Sequence, residues 1–452
     1  MKTSLSICLL IVGYTAICFG SALPYVREVP WQSMKNPVPQ NNVVETVKKT
    51  LLNANKFALN SWYTEIKKYE KDGTGYLILD YPGADNEMRY RYPAGMAFGL
   101  AISLKTGVYD ELETGQPYAE ALQKTILLLT SVAHDHRTNK TRCAWGDDWQ
   151  AALWAYYAAY AGWLLWNHLG EKDRAYVVNM VIAEADRLLL VPPPFYKDKA
   201  GTALFPGDSK IEENLWNAEL LSLASVMMPM HVNSERWLHQ AISYTITGLS
   251  LPSDLQNEDI LHGKPVKSWL NGYNVEEPGI VINHHIIHPL YNAVSSVVNV
   301  PIVFSLAGVC TPKAFRFNMD KIYRSLINTP FDSSRYEKPG GTMYIKGSPN
   351  LYYPEGSSWG FEIYDPFANM DVAAWLYQFD DGQDYGGYYW AGLHAGAVLT
   401  QQERFDDGHT YLDNQENSYS GKEEAIATRM ASAWMSIWVE HQRSVCYTNT
   451  NH

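Results

Sequence analysis

Three of the chain's 13 histidines fall within five residues, in the stretch Val281 to Asn292, VINHHIIHPLYN. Asn283, His284, His285, His288 and Tyr291 stand there together, and their side chains are those of proton transfer. A neutral imidazole takes a proton near neutral pH, a phenol gives one, and an amide holds a developing anion. His284 and His288 are also four apart, so they could share a helix face, which would suit zinc. The pattern HHxxH lacks the glutamate of HExxH. Pro289 follows His288 directly, as expected where a loop ends and a helical turn begins. Three readings stay open: zinc ligands, structural hydrogen bonders beneath a helix cap, and an Asn-His-Tyr proton-transfer site.

Three further segments carry chemistry-bearing residues. In Pro206 to Pro229, Glu212, Glu213 and Asn214 open a helix, where carboxylates suit the positive end of the dipole. Asn214 and Asn217 are neighbours on one face of it, with Trp216 between them in sequence. An amide inside an apolar helix needs a partner, so an Asn217 aimed at a cleft is expected. The loop Leu351 to Asp365, LYYPEGSSWGFEIYD, gathers Tyr353, Glu355, Trp359, Glu362 and Asp365 around a proline and two glycines. The stretch from Cys143 to Trp149 offers Trp145 and Trp149 as sugar-stacking surfaces. Asp147 and Asp148 there read as a carboxylate acid or, more simply, as helix caps.

These residues need elements to hold them. Helical periodicity recurs near 43–59, 94–106, 117–133, 148–168, 174–190, 212–228, 235–249, 284–307, 314–328, 369–379, 390–403 and 422–442. Strand patterns are short and few, as at Tyr76 to Leu79 and Met343 to Ile345. No proline, glycine or serine linker divides the chain. An all-α fold, an (α/α) toroid or incomplete barrel with a few short strands, is expected, with 148–168 and 212–228 among the inner helices. The domain reading is a signal peptide at 1–22, an extended proline-rich lead-in at 23–42, one toroid at 43–442 and a tail at 443–452. Trp149 to Trp166 has no charged residue, which fits an inner helix covered on two sides. Its tyrosines, glutamine and many alanines fit lipid poorly.

The composition, 46% hydrophobic and 19% charged over 452 residues, excludes a mainly disordered chain. A net charge of -12 without a long basic run argues against a nucleic-acid partner. Lys2, the apolar run Leu5 to Phe19 and the small residues Gly20-Ser21-Ala22 read as a secretory leader cleaved after Ala22, leaving no membrane anchor. Cys143, Cys310 and Cys446 then remain, which allows one disulfide and one free thiol in any pairing. Asn139-Lys140-Thr141 is a glycosylation sequon. GxGxxG after a strand, GxxxxGK[ST], GxSxG and DDxxD are all absent, so nucleotide, phosphate and serine-hydrolase chemistry are not indicated. No cofactor and no metal is called for.

An acidic, secreted helical toroid with 15 Trp and 31 Tyr suggests carbohydrate chemistry, since sugar rings stack on aromatic faces. With Asn-His-His at 283–285, Asn217 upstream and tyrosine-rich segments downstream, the chain resembles the (α/α)-toroid polysaccharide lyases, which act on alginate, chondroitin and hyaluronan. The PEGSSWG stretch is similar to their glycine-rich, Glu-containing loops. The resemblance implies β-elimination on a uronic-acid polysaccharide. Asn217 or Asn283 would stabilise the dianion, with His285 as first-choice base and His284 as second. Tyr291 would be the acid and Tyr353 its reserve. Arg316 and Arg324 would anchor carboxylates, and Trp145, Trp149, Trp216, Glu355 and Trp359 would line the subsites. The alternative is an (α/α) glycoside hydrolase with two carboxylates drawn from Asp148, Glu219, Glu355, Glu362 and Asp365. A third possibility is a non-catalytic glycan-binding protein.

Overall fold

The computed structural model describes residues 23–66, 73–79, 85–293, 297–380 and 385–449. The leader at 1–22 and the last three residues of the tail lie outside them. Among the described residues the fold is an all-α toroid of two helical layers with a few two-residue strands. Besides the one-turn helices Tyr63–Ile66 and Glu111–Thr114, its helices are α1 (Asn42–Phe57), α2 (Tyr92–Thr106), α3 (Tyr118–Asp135), α4 (Ala151–Leu164), α5 (Glu171–Leu188), α6 (Ile211–Met227) and α7 (Ser234–Gly248). They continue as α8 (Pro289–Asn292), α9 (Val300–Ala307), α10 (Met319–Asn328), α11 (Asp365–Tyr377), α12 (Gly387–Gln402) and α13 (Lys422–Gln442). Eleven of these match the helices expected from periodicity to within a few residues.

The layers follow from which faces are apolar. The inner helices are α2, α4, α6, α11 and α13, with the short α9 between α6 and α11. α2, α4 and α6 pack in sequence, α9 packs on α6 and α13, α11 packs on α13, and α13 returns to α2. Every residue from Tyr92 to Leu104 in α2 is buried. A helix covered on all sides must be apolar on all sides, and here that cover comes from the outer layer and the ring neighbours. Two exceptions mark the axis. Tyr157 is the one residue of α4 that is not buried. Arg429 is the one such residue between Glu424 and Val439 of α13. Outer helices show a single apolar stripe instead. In α3 it runs through Ala121, Thr125, Leu128, Leu129 and Val132. No helix of the described residues is long and apolar enough to cross a membrane.

The two ends of the chain are stitched together. The lead-in at 23–41 runs extended, apart from a turn at Trp31–Ser33, and buries Val26, Val29 and Met34. Trp163 of α4 donates to the Arg27 carbonyl at 2.5 Å, and Arg27 donates to the last carbonyl of α6, that of Met227, at 2.8 Å. Asn36 and Gln442, at the end of α13, exchange hydrogen bonds of 2.8 and 2.7 Å. A Cys310–Cys446 disulfide ties the tail to the loop after α9 and leaves Cys143 as a free, exposed thiol. Asn139, in the sequon, donates its amide to the carbonyls of Ala133 and Tyr176 at 2.7 and 3.1 Å. A glycan on that nitrogen would replace one of its two N–H donors and so break one of these bonds.

One expected helix, 284–307, is corrected. Ile282–Asn283 (β1) and Ile286–Ile287 (β2) form an antiparallel hairpin, with His284 and His285 as its turn at φ 50° and 66°. Both central residues of such a two-residue turn need positive φ, which histidine tolerates better than β-branched residues do. Pro289 then starts the four-residue α8, and α9 is separate. The strands expected at 76–79 and 343–345 are not ladders. Tyr344 makes a single bridge, to Leu351.

Candidate active site

A cavity of about 330 Å³ opens at the toroid axis. Five elements bring charged or proton-carrying groups to it. Glu87 and Arg91 come from the widened π-turn Glu87–Arg91 that leads into α2, a local geometry common at functional sites. Glu212 comes from the first turn of α6, and His284 and Tyr291 from the hairpin and α8. Arg429 comes from α13. Trp149, Trp216, Trp359, Tyr157 and Tyr419 supply aromatic walls, and Gln150, Asn299, Asn369 and Asn417 supply amides. Trp149 is 63% exposed at the mouth, with its ring 5.4 Å from that of Trp216.

The charges are interlocked. The Arg91 guanidinium lies 2.7 Å from Glu87 and 3.2 Å from Glu424, above the ring of Tyr419. Tyr419 donates to Glu87 at 2.9 Å. Arg429 donates to Asp365, the first residue of α11, at 2.6 Å, and Tyr411 donates to the same carboxylate at 3.0 Å. Burial pushes the Glu424 carboxyl up to about 7 against the pull of Arg91 and Arg429. Gly95 makes room for it. A Cβ there would sit 2.4 Å from a Glu424 oxygen.

Glu212 is the second carboxyl held near neutrality. Solvent reaches it through the cavity, while protein surrounds it elsewhere. Burial and the neighbouring Glu213 push it up to about 7, partly offset by Arg91, a hydrogen bond from Tyr291 and Arg429. The Tyr291 hydroxyl is shifted well above its usual range, by burial first and then by Glu212. Its oxygen lies 3.4 Å from Nε2 of His284. His284 Nδ1 is 2.8 Å from the Ser358 hydroxyl, which is 3.1 Å from Nε2 of His288. Burial lowers His284 and holds buried His288 down at about 3, so both rings are neutral at pH 7.

Both raised carboxyls bear on stability. Their folded values lie above the ordinary carboxyl value of 4.5. Their stabilising contribution is therefore complete below that value and is lost as pH rises through about 7. Urea midpoints measured from pH 5 to pH 8 are expected to fall, and Glu424→Gln should flatten the slope.

The loop Leu351 to Asp365 carries Trp359 and Ser358 into place. Ser357 accepts from the backbone of Trp359 and Gly360. Gly360, at φ 138°, passes so close to Glu416 that a Cβ would meet its carbonyl at 2.2 Å. Glu355 accepts from the backbone of Ile287 in β2 at 2.6 Å, which fastens the loop to the hairpin.

Of the residues expected at the site, the cavity brings together His284, Tyr291, Trp149, Trp216 and Trp359. The others are corrected. The exposed His285 ring packs over Gly207 outside the cavity lining, so the first-choice base sits apart from the axis. Asn217 is buried in α6 and is not part of the lining, although its neighbour Trp216 is. Asn283 is a structural donor to Ser209, and Glu355 is the fastening just described. Tyr353 is buried against Phe361, and Trp145 is buried with its indole N–H on the Val132 carbonyl. Arg316 lies over Phe379 and Tyr447, and Arg324 pairs with Asp320 on the outer helix α10. Among the alternative carboxylates, Asp148 caps Gly146 and Asn86. Glu219 is buried on Asn299, Asp365 is taken by Arg429, and Glu362 stays outside the lining. Among the described residues no group of three His, Cys, Asp or Glu side chains is arranged to hold a metal ion.

No protein-family model matches the chain, and no curated protein does. Among solved structures the chain is similar to the GH76A alpha-1,6-mannanase from Salegentibacter sp. HEL1_6. The identity is 14%, the match covers 88% of this chain and 100% of that one, and the TM-score is 0.41.

Sequence reasoning missed Glu87, Arg91, Glu212, Tyr419, Asn417 and Arg429 as site residues. Glu212 read as a dipole partner at a helix start, and it occupies that place. The overlooked signal was Glu212 and Glu213 side by side at the mouth of a helix in which every other residue is buried.

Proposed function

We propose that the protein is a carbohydrate-active enzyme that cleaves a glycan in the axial cavity, and that it does so as a glycoside hydrolase. The observation that carries this reading is Glu212, a carboxyl poised near pH 7 between tryptophans and amides in a pocket of sugar size. A glycosidase needs one carboxyl still protonated at working pH, to give its proton to the leaving oxygen. Glu212 fills that role. Glu87, held by Arg91 and Tyr419, is the partner carboxylate that activates water or stabilises the oxocarbenium charge. The exposed Trp149 offers a ring face to an incoming sugar. Its replacement, Trp149→Ala, is expected to raise KM several-fold while kcat changes little, as measured by reducing-end release over a substrate series.

A second reading rests on a separate observation. Neutral His284 beside the Tyr291 hydroxyl is a base–acid pair suited to β-elimination from a uronic acid, with Arg91 and Arg429 near the carboxylate. The two readings part on one assay. Elimination leaves an unsaturated product that absorbs ultraviolet light, and hydrolysis does not. Panels of neutral and uronic-acid glycans, followed by both absorbance and reducing ends, are expected to show reducing ends alone. Product absorbance would replace the hydrolase with the lyase. The leader at 1–22 supports a secreted enzyme, and the Cys310–Cys446 disulfide fits an oxidising compartment.

A further inference from the structure

A chain of hydrogen-bonding groups runs from Tyr291, which lines the cavity together with Glu212, through His284 and Ser358 to His288. Tyr291 and Ser358 each carry one proton, and each neutral imidazole carries one. With the Ser358 proton spent inside the chain, across the 2.8 Å contact to Nδ1 of His284, every link fixes the next and the chain has two directions. In one, His288 donates from Nε2 to Ser358, Ser358 donates to Nδ1 of His284, and His284 donates from Nε2 to the Tyr291 oxygen. Tyr291 then gives its only proton to ionised Glu212. In the other, every bond is reversed and Glu212 must hold a proton to give to Tyr291.

The far end decides between them. His288 is fully buried, and its Nδ1 meets no partner. The first direction leaves a bare lone pair there, and the second leaves an unpaired N–H. Orphaned buried donors are rarer in folded proteins than under-satisfied acceptors, and leaving one costs the full desolvation of the group. We propose that His288 and Ser358 are positioning residues that hold His284 as its Nε2–H tautomer, so that the Tyr291 proton is aimed at Glu212. His284 is then a donor toward Tyr291 and has no free lone pair on the cavity side. The charged groups around the chain are Arg91, Arg429 and Glu213 beside Glu212, and Asp208 beside Tyr291 and His284. None of them touches His288, whose lowered value comes from burial and His284 alone.

This inference deepens the hydrolase reading and rests on it for its kinetic consequence only. The test is nitrogen-15 NMR of the full chain with labelled histidine, His284→Gln identifying the signals of His284. The expected result at pH 7 is one neutral tautomer, with the proton on Nε2. Ser358→Ala should mix the two tautomers, and Ser358→Thr, which keeps the hydroxyl, should restore the single form. Loss of the Tyr291 bond to ionised Glu212 favours the protonated acid. The alkaline limb of activity in Ser358→Ala is therefore expected to move up by roughly half to one pH unit, and the threonine variant should return it. An Nδ1–H tautomer in the unaltered protein, or an unchanged tautomer in Ser358→Ala, overturns the proposal. Full activity in Glu212→Gln overturns the hydrolase reading instead, and leaves the tautomer result standing.

Discussion

Glu212→Gln is expected to lower turnover by about 10² to 10⁴, the usual contribution of a positioned general acid. Substrate binding should survive. The amide keeps the shape of the side chain and can still hydrogen-bond Tyr291, whose bond to Glu212 helps set its proton affinity. Calorimetric titration of an oligosaccharide into the variant should show affinity within a few-fold of the parent, with no heat of hydrolysis. The activity of the parent should fall as pH rises through about 7, because a general acid must be protonated to act. Glu212→Gln should have no such limb. A variant that retained both turnover and limb would place the proton donor elsewhere in the cavity.

The largest expected effect on stability comes from Arg91→Leu. Arg91 sits between Glu87 and Glu424, and the Glu424 side chain is 1% exposed. Removing one partner of a buried ion pair leaves the other charge uncompensated, at a cost of about 3–5 kcal/mol. The sign with pH is distinctive. Without the guanidinium, which lowers it, Glu424 should rise further above about 7 and stay neutral over a wider range. The deficit should therefore be greatest at pH 8 and shrink toward pH 5, in urea unfolding followed by tryptophan fluorescence. Arg91→Lys should rescue little, since one ammonium cannot serve two carboxylates in the geometry of a planar fork. A deficit that does not change with pH would show that packing, and not charge, had been lost.

The fold was largely legible because burial on two sides leaves a strong mark. The uncharged run of α4 told its layer. The segment 284–307 was misread because apolar periodicity cannot register a turn set by two positive φ angles. Isoleucines on either side of His284-His285 look alike in a helix and in a hairpin. The site was only half legible. His284, Tyr291, Trp149 and Trp359 stood out by type. Arg91, Glu87 and Arg429 did not, because their meaning lies in partners far along the chain. Arg91 reads as an ordinary cation until Glu424 is brought against it. His285 was ranked over His284 with the family resemblance, since residue type cannot separate them, and a single step around the turn decides which ring enters the cavity and which leaves it.

The return of α13 onto α2 has a consequence for how the protein comes into being. The bond from Tyr419 to Glu87 spans 332 residues. Arg429 and Glu424 are later still in the chain than Tyr419. Loops of that span close slowly, and closing them late in folding is entropically costly. The first two-thirds of the polypeptide can form helices and stack them, yet Arg91 meets its second carboxylate when the last helix arrives. A nascent or truncated chain thus holds the front half of a pocket without its back wall. Catalytic competence should emerge in a single late step that coincides with completion of the ring, so an unfinished molecule is expected to be inactive.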